Sequence, residues 1–497
     1  MVRNFTAAIN AVKSKPLLFL FLLFILAFVL RAVLPDRSYF FWDEAIYLLH
    51  GRLFSGQGAG YYELFQRPPL LPLLLSPLSM LMSSGAYELA SRLLVAFLNS
   101  FVVFPVYYLT NAVFGRKSAI VAAVVIAFLP VHIINSRWVM TDALAALLAL
   151  SSVTAYFLGL KEKNRLLVFA GGVLAGLAVL MKFTSLLLVA LLLPLLVLHL
   201  KARWRGIALS ALLFVAVMLP YLVFNVLSFG SPFFTFDKAF HVVSEETGAS
   251  LGFFLFLLKD SLGILAVFLA FGIAFGFFNL WRHYKSSYRK ERLSDQVYMA
   301  YCFLVALAYS AFIVGRGISK PAGIEWEAGR FLLLFLLFAV PFIGFGISSL
   351  AGLFVSLLQR LSSASFAYVT FAVVAIVLVA SAVSVDASLS LYPQFRRSYV
   401  PAIVYEDGLR EVTKSMGVYL AATGINEFGC LGNCPPVSYY SGKKMSFYYD
   451  PAIRPSAVSD TYLVVFDGAV SKFSGNRDLM KAFCSGNHCV YLLRYQS

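Results

Sequence analysis

The chain has 497 residues, of which 60% are hydrophobic and only 13% are charged, and its mean hydropathy is +0.82. A soluble domain carries about 25% charged residues, so this composition excludes a chain that is soluble along most of its length and predicts a polytopic α-helical membrane protein. The net charge of +16 does not indicate nucleic acid, because no nucleic-acid-binding motif is present and membrane topology explains much of the excess.

Apolar runs recur along the first four fifths of the chain, and a helix needs roughly 20 such residues to cross the hydrocarbon core. The first run has no small-residue cleavage site behind it, which favours a membrane anchor over a removed signal peptide. Lys259 and Asp260 interrupt one run, which favours two helical pieces there. Eleven spans are predicted, at 16–34, 88–112, 118–134, 141–160, 166–181, 183–200, 207–227, 252–281, 296–315, 329–350 and 366–385.

Basic residues predict the orientation of these spans. Lys and Arg cluster in every second connection, which the positive-inside rule places in the cytoplasm. The clusters are Lys13 with Lys15, Arg116 with Lys117, 161–165, 201–205, 282–292 and Arg360. We therefore expect a cytoplasmic N-terminus, an extracytoplasmic C-terminus and an integral protein of a prokaryotic plasma membrane.

The first outer loop, residues 35–87, is long and apolar. The stretch "DEAIYLLHGRLF" predicts an amphipathic helix, and residues 67–82 are apolar but interrupted by four prolines. Such a loop is expected to lie along the bilayer surface, where it could guide a lipid-borne ligand. An additional span here would invert the charge alternation of the rest of the chain and is excluded on that ground.

Ionisable residues at the edge of a membrane are costly and usually mark function. The predicted topology brings several to the outer boundary, where a carboxylate could accept a proton from a hydroxyl and a cation could bind a phosphate. These candidates are Asp43, Glu44, Arg67, Arg137, Asp142, Lys182 and Arg330.

Structural interpretations of the same residues stay open. Asp142 could cap a helix, Lys182 and Arg330 could extend to lipid headgroups, and Glu44 could pair with Arg52 or Arg37. No histidine has a second ligand at metal-binding spacing, so no metal site is predicted among His50, His132 and His241.

The segment 386–497 differs in composition from the rest of the chain. A helical pattern near 406–422 precedes strand-like runs at 461–467 and 489–496, which predicts a small extracytoplasmic α/β domain. The transmembrane domain would then comprise residues 1–385.

Four of the five cysteines lie in this tail. An even number in an extracytoplasmic segment favours disulfides, and local pairing of Cys430 with Cys434 and of Cys484 with Cys489 is the simplest arrangement. A zinc site built from the four thiols is the alternative.

Several short stretches, in this order, resemble the GT-C superfamily of glycosyltransferases. They are "DE" (43–44), "QRPPLLPL" (66–73), "ASRLLVAFLNSFVVFPVYYLTNAVFGRKSAIVAA" (90–123), "SRWVMTDAL" (136–144), "GLAVLMKFTSLLL" (176–188), "PYLVFNVLSFGSPFF" (220–234) and "GRFLLLFLLFAVP" (329–341). The resemblance is closest to the dolichyl-phosphate-mannose–protein mannosyltransferases and the aminoarabinose transferase of lipid A, and it covers roughly residues 16–350.

The resemblance implies transfer of a monosaccharide from a dolichyl or undecaprenyl phosphate to an acceptor hydroxyl, with inversion. It implies that Asp43 is the general base, that Glu44 completes the acidic pair and that Arg67 contacts the carrier phosphate. Asp142 then matches a further acid of the cavity, and Lys182 and Arg330 occupy basic positions. The acceptor could be a lipid, a glycan or a protein.

Two alternatives remain. Gln66 replaces an acidic metal ligand of the aminoarabinose enzyme, so no cofactor is carried over, although a divalent metal stays possible. The first alternative is an oligosaccharyltransferase-like enzyme with a lipid-diphosphate donor and a metal at Asp43. The second, from a different class, is a secondary transporter, for which the sequence shows no internal repeat.

Overall fold

A computed structural model describes twelve stretches of the chain, and helices dominate them. The described residues are 16–32, 42–57, 67–186, 204–245, 251–284, 290–317, 327–357, 407–431, 434–448, 461–466, 477–485 and 488–495. The chain divides into two compact units. The helical unit comprises Met1–Val33, Ala96–Ser136 and Thr141–Phe395, and the mixed unit comprises Leu34–Val95, Arg137–Met140 and Arg396–Ser497.

The helices in the described stretches are numbered in chain order. The first eight are α1 (Pro16–Ala32), α2 (Trp42–Phe54), α3 (Leu70–Leu81), α4 (Ser84–Ser100), α5 (Val103–Phe114), α6 (Arg116–Phe128), α7 (Pro130–Asn135) and α8 (Thr141–Lys161). The next seven are α9 (Arg165–Met181), α10 (Trp204–Phe229), α11 (Phe234–Glu245), α12 (Leu251–Leu262), α13 (Leu265–Tyr284), α14 (Lys290–Gly317) and α15 (Leu333–Leu357), the last preceded by a 3₁₀ turn (Glu327–Leu332). The tail adds α16 (Asp407–Ala422) and α17 (Cys434–Ser441).

Five helical segments within the described residues are long and apolar enough to cross a membrane. They are Gly85–Phe114, Thr141–Lys161, Ala208–Phe229, Asp295–Val314 and Arg330–Phe354. The chain is therefore an integral membrane protein. The predicted span 366–385 and most of 183–200 lie outside the described residues, so the total of eleven spans stays a prediction, as do the orientation and the domain boundary at 385.

The predicted interruption of the span 252–281 is confirmed, but it falls a few residues after the two charges. Helix α12 ends at Leu262, and Gly263 follows with a φ of 49°. A residue in this left-handed conformation commonly terminates a helix, and glycine adopts it without the strain of a Cβ. The break is therefore a glycine C-cap, and the charges alone do not cause it.

Helices α8, α9 and α10 illustrate how the helical unit is packed. Helix α9 runs antiparallel to α8, with the hydroxyl of Ser152 donating to the carbonyl of Gly171 over 2.8 Å. Helix α10 runs parallel to α9, because Ser210 donates to the Val168 carbonyl and Val217 lies against Gly176. The end of α9 and the start of α10 therefore lie at opposite ends of this three-helix group. A span at 183–200, as predicted, would connect them.

Helices α13 and α15 approach each other at two glycines. A Cβ added at Gly272 would lie 1.9 Å from the carbonyl oxygen of Phe342, and one at Gly346 would lie 2.2 Å from that of Phe268. Small residues permit such close backbone contact between membrane helices, where van der Waals packing provides much of the association energy.

We expect Gly272→Val to destabilise the protein by about 1–3 kcal/mol or more, because the added side chain forces the two backbones apart. Thermal unfolding in detergent measures the effect. Gly276→Ala is the matched control one turn later, since a Cβ there meets only the Phe342 ring at 4.0 Å. Equal stability of the two variants would contradict the packing that we describe.

The mixed unit contains a five-stranded sheet of β1 (Glu427–Leu431), β2 (Lys444–Tyr448), β3 (Thr461–Phe466), β4 (Arg477–Ser485) and β5 (His488–Tyr495). The strand order is β2-β1-β3-β5-β4. Strand β1 pairs in parallel with β2 and β3, whereas β5 pairs antiparallel with β3 and β4. The helix predicted near 406–422 and the strands predicted at 461–467 and 489–496 are thus confirmed.

A disulfide joins Cys484 and Cys489 in the β4–β5 hairpin, which confirms one predicted pair. Cys430 is also disulfide-bonded. The side chain of Cys434, its predicted partner, lies outside the described residues, so that pairing remains a prediction.

The described part of residues 35–87, the predicted first outer loop, contains the whole of two helices where the sequence predicts one. Helix α2 matches the predicted amphipathic helix, and α3 forms despite its prolines. Pro69 precedes α3 and Pro72 lies in its first turn, where no backbone donor is needed. Pro77 lies inside the helix, and the hydroxyl of Ser76 donates to the Leu73 carbonyl that Pro77 cannot bond. With 12 residues, α3 is about 18 Å long and too short to span a bilayer.

Candidate active site

The acidic pair lies in the first turn of α2. The free backbone N–H groups and the dipole of a helix N-terminus favour carboxylates at this position. Asp43 is 8% exposed and Glu44 is fully buried. Two adjacent acids therefore begin the same helix in different environments.

Asp43 forms an ion pair with Arg67, and 2.8 Å separates its Oδ1 from the Arg67 Nη2. The side chain of Asp43 is 12% exposed and that of Arg67 is 28% exposed. Part of the Arg67 side chain and a small part of the Asp43 side chain thus remain exposed. Asp43 and Arg67, two of the predicted site residues, are 24 positions apart in sequence and are in contact within the mixed unit.

Glu44 is bound on both of its carboxylate oxygens by Arg92. The Nε of Arg92 donates to Oε1 over 3.1 Å, and its Nη2 donates to Oε2 over 2.9 Å. The backbone N–H of Val139 donates to Oε1 over 2.8 Å. The sequence interpretation that pairs Glu44 with Arg52 on the surface is wrong, because the guanidinium of Arg52 contacts Tyr439 and Glu44 is buried.

Sequence reasoning missed Glu88 and Arg92, which lie one turn apart on α4. Arg92 is 3.5 Å from Glu88, and Glu88 also binds Arg410 and the hydroxyl of Tyr440. A buried charge is stable only with a partner. The sequence feature that could have revealed these two residues is therefore an acid and a base four positions apart within an apolar run.

His50 lies two turns after Asp43 on α2 and is 1% exposed. Burial and the nearby Arg67 guanidinium lower the pKa of His50 from 6.5 to about 3. The folded protein therefore keeps His50 neutral, whereas the unfolded chain binds a proton below pH 6.5. The resulting stability is present above pH 6.5 and is lost as the pH falls towards 3.

We expect wild-type protein to lose about 2 kcal/mol of stability relative to His50→Gln between pH 7 and pH 5, since glutamine does not titrate. Chemical unfolding at both pH values measures this difference. A stability difference that does not change with pH would show that His50 is protonated equally in both states.

The helical unit holds the second group of predicted residues. Asp142 lies in the first turn of α8, Lys182 follows α9, and the Lys182 ammonium forms an ion pair with Asp142. Arg330 lies in the 3₁₀ turn before α15. Together with Tyr309 and Phe331, these residues line a small open recess.

The recess carries an excess of positive charge. The Lys182 Nζ lies 5.0 Å from the centre of the Phe331 ring, and the Arg330 Cζ lies 4.9 Å from it. These contacts are cation–π interactions. Two cations and one carboxylate line the recess, and this composition suits an anionic group of low charge.

Arg137 lies in the short turn Arg137–Met140 that also supplies the Val139 N–H to Glu44. Arg137 is half-buried, and burial lowers the pKa of its guanidinium. The structure therefore places Arg137 in the same unit as the acidic pair, and Asp142, five residues later, in the helical unit.

No described group of three His, Cys, Asp or Glu side chains has metal-binding geometry. His132 hydrogen bonds with Arg31 and Ser136. The side chain of His241 lies outside the described residues. Asp43 and Glu44 are each paired with an arginine, so the described donor set does not fit a divalent ion at the acidic pair.

Comparison with known proteins places this arrangement in a recognised fold. A family model described as dolichyl-phosphate-mannose-protein mannosyltransferase matches residues 66–224. The crystal structure of ArnT from Cupriavidus metallidurans bound to undecaprenyl phosphate superposes with a TM-score of 0.62, at 16% identity, over 95% of this chain and 98% of that one.

The fold is shared more widely. The oligosaccharyltransferase of Archaeoglobus fulgidus in its apo form gives a TM-score of 0.55 at 14% identity, over 86% of this chain and 64% of that one. AglB from the same organism, in complex with an inhibitory peptide and a dolichol-phosphate, gives 0.53 at 13% identity, with the same coverage. A search of curated proteins found no significant match. The chain thus has the fold of GT-C glycosyltransferases, and the resemblance seen in the sequence is confirmed.

Proposed function

We propose that the protein is a membrane glycosyltransferase that moves a monosaccharide from a polyprenyl phosphate to an acceptor hydroxyl on the extracytoplasmic face. The observation that carries this proposal is the partly exposed ion pair of Asp43 and Arg67 at the start of α2 in a GT-C fold. A carboxylate within reach of solvent can accept a proton, and the adjacent guanidinium can bind a phosphate oxygen.

In the proposed reaction, Asp43 accepts the proton of the acceptor hydroxyl. The acceptor oxygen then attacks the anomeric carbon, the bond from that carbon to the phosphate oxygen breaks, and the polyprenyl phosphate leaves with the electron pair. The attack from the opposite side inverts the anomeric configuration. Cations stabilise the charge that develops on the leaving phosphate, and we assign that role to Arg67, with Lys182 and Arg330 as further donor-binding residues.

Glu44 has a different role in this proposal from Asp43. Its carboxylate is buried and accepts three hydrogen bonds. It is therefore unsuited to proton transfer with a substrate, and we assign it the positioning of the first turn of α2. Arg137, in the turn that binds Glu44, and Asp142, which binds Lys182, are assigned to substrate binding.

The transfer of label from radiolabelled polyprenyl-phosphate hexoses and pentoses tests the proposal. Purified protein in vesicles is incubated with lipid, glycan and peptide acceptors, with and without EDTA. We expect transfer from at least one monosaccharide donor, with release of polyprenyl phosphate and no effect of EDTA. An absence of transfer from every such donor would contradict the proposal.

A second candidate is an oligosaccharyltransferase-like enzyme with a lipid-diphosphate donor. The fold shared with the archaeal oligosaccharyltransferase favours it, whereas the pairing of Asp43 with Arg67 does not favour a metal at that carboxylate. Transfer from a lipid-diphosphate oligosaccharide that EDTA abolishes would establish this candidate. Uptake of a solute into the same vesicles without transfer would instead indicate a transporter.

A further inference from the structure

Glu88 is buried, with 4% of its surface exposed, and three side chains contact its carboxylate. The Nη2 of Arg410 donates to its Oε1 over 2.9 Å, and the hydroxyl of Tyr440 donates to its Oε2 over 3.2 Å. The third partner is Arg92, at 3.5 Å. Two of the three partners come from the C-terminal segment, more than 300 positions away in sequence.

These contacts continue to the acidic pair. Arg92 is 1% exposed and lies between Glu88 and Glu44. Its planar guanidinium binds Glu44 through two parallel hydrogen bonds, which fix orientation as well as distance. Glu44 is adjacent to Asp43 in the first turn of α2. A continuous set of polar contacts therefore runs from α16 and α17 to Glu44, the residue after Asp43 in the chain.

Helix α2 is fixed to the C-terminal segment at two further points. The Nη1 of Arg52 donates to the carbonyl of Tyr439 over 2.8 Å, and its guanidinium lies 4.2 Å from the centre of the Tyr439 ring. Ile46 is fully buried in one apolar core with Val412 and Met416 of α16. The start, middle and end of α2 thus all depend on residues of the tail domain.

We propose that Arg410 and Tyr440 are positioning residues that hold the Asp43 carboxylate in its reactive orientation through Glu88, Arg92 and Glu44. The tail domain then belongs to the catalytic apparatus without touching the substrate. The expected effect on the rate of sugar transfer rests on the proposed function. The dependence of α2 on the tail domain rests on the contacts alone.

Two measurements on Arg410→Met in the full-length protein test this inference. Amide hydrogen exchange of residues 42–54 reports the order of α2, because local opening is governed by the contacts that hold a segment. We expect exchange there to accelerate by about tenfold. We also expect kcat to fall by about tenfold to a hundredfold, since small displacements of a catalytic group have effects of that size, with the KM for the donor within twofold of wild type.

Lys414→Met is the matched control, because Lys414 is exposed one turn later on the same helix. Tyr440→Phe removes one hydrogen bond and should give a smaller effect, while Arg410→Lys keeps the charge and should recover part of kcat. Unchanged exchange of α2 in Arg410→Met overturns the inference, as does faster exchange with an unchanged kcat. If the wild-type protein transfers no sugar, the proposed function is overturned instead. Amide hydrogen exchange of residues 42–54 in Arg410→Met then decides whether the tail domain holds α2 in place.

Discussion

Asp43→Asn should reduce sugar transfer by about 10²–10⁴-fold, which is the usual contribution of a general base. The asparagine side chain has the same shape and can still accept a hydrogen bond from Arg67, but it cannot accept the proton of the acceptor hydroxyl. We expect the loss in kcat, with donor binding weakened little. Initial rates with radiolabelled donor, at saturating acceptor, measure the effect.

Asp237→Asn is the control for this substitution. Asp237 also lies in the first turn of a helix, α11, and is exposed. Its replacement should leave the rate within about twofold of wild type. Retention of more than a tenth of wild-type activity by Asp43→Asn would exclude Asp43 as the base, and the acceptor proton would then have to leave by another route.

Arg92→Met should destabilise the protein by about 3–5 kcal/mol, because removal of one partner leaves buried charges without compensation. Arg92 is bound to Glu44 and Glu88, and both carboxylates are almost inaccessible to water. Thermal or chemical unfolding in detergent gives the magnitude. Arg165→Met removes an exposed arginine at the start of α9 and should change stability by no more than about 0.5 kcal/mol.

The double variant Arg92→Met with Glu44→Gln separates the cost of the unpaired charge from the loss of packing. Neutralising Glu44 should recover a substantial part of the lost stability, since a neutral amide is less costly to bury than an isolated carboxylate. No recovery, or a loss below 1 kcal/mol in the single variant, would show that the pair is hydrated and contributes little.

The sequence predicts much of this fold because the strongest signals are local. The helix at 406–422, the strands at 461–467 and 489–496 and the Cys484–Cys489 disulfide all follow from short patterns of apolar residues, turns and cysteine spacing. Helix α3 was not predicted, because four prolines in 16 residues usually exclude a helix. Pro69 and Pro72 are compatible with a helix start at Leu70, and the Ser76 hydrogen bond compensates for Pro77, but the position of that start is not evident from the sequence.

The candidate site shows the limit of local reasoning. The topology singles out Asp43 and Arg67, and the structure pairs them. The arginine that binds Glu44, however, lies 48 positions along the chain, and nothing in either stretch specifies the other as its partner. Such a contact depends on the packing of α2 against α4, which the periodicity of neither helix encodes.

The shared core of α2 and the tail domain also has a consequence for biosynthesis. Ile46 packs with Val412, Met416, Leu420 and Phe428, which the ribosome adds roughly 370 residues later. At about 5–20 residues per second, the apolar face of α2 waits on the order of half a minute for its native neighbours. A helix that is translated early is therefore among the last to reach its final environment.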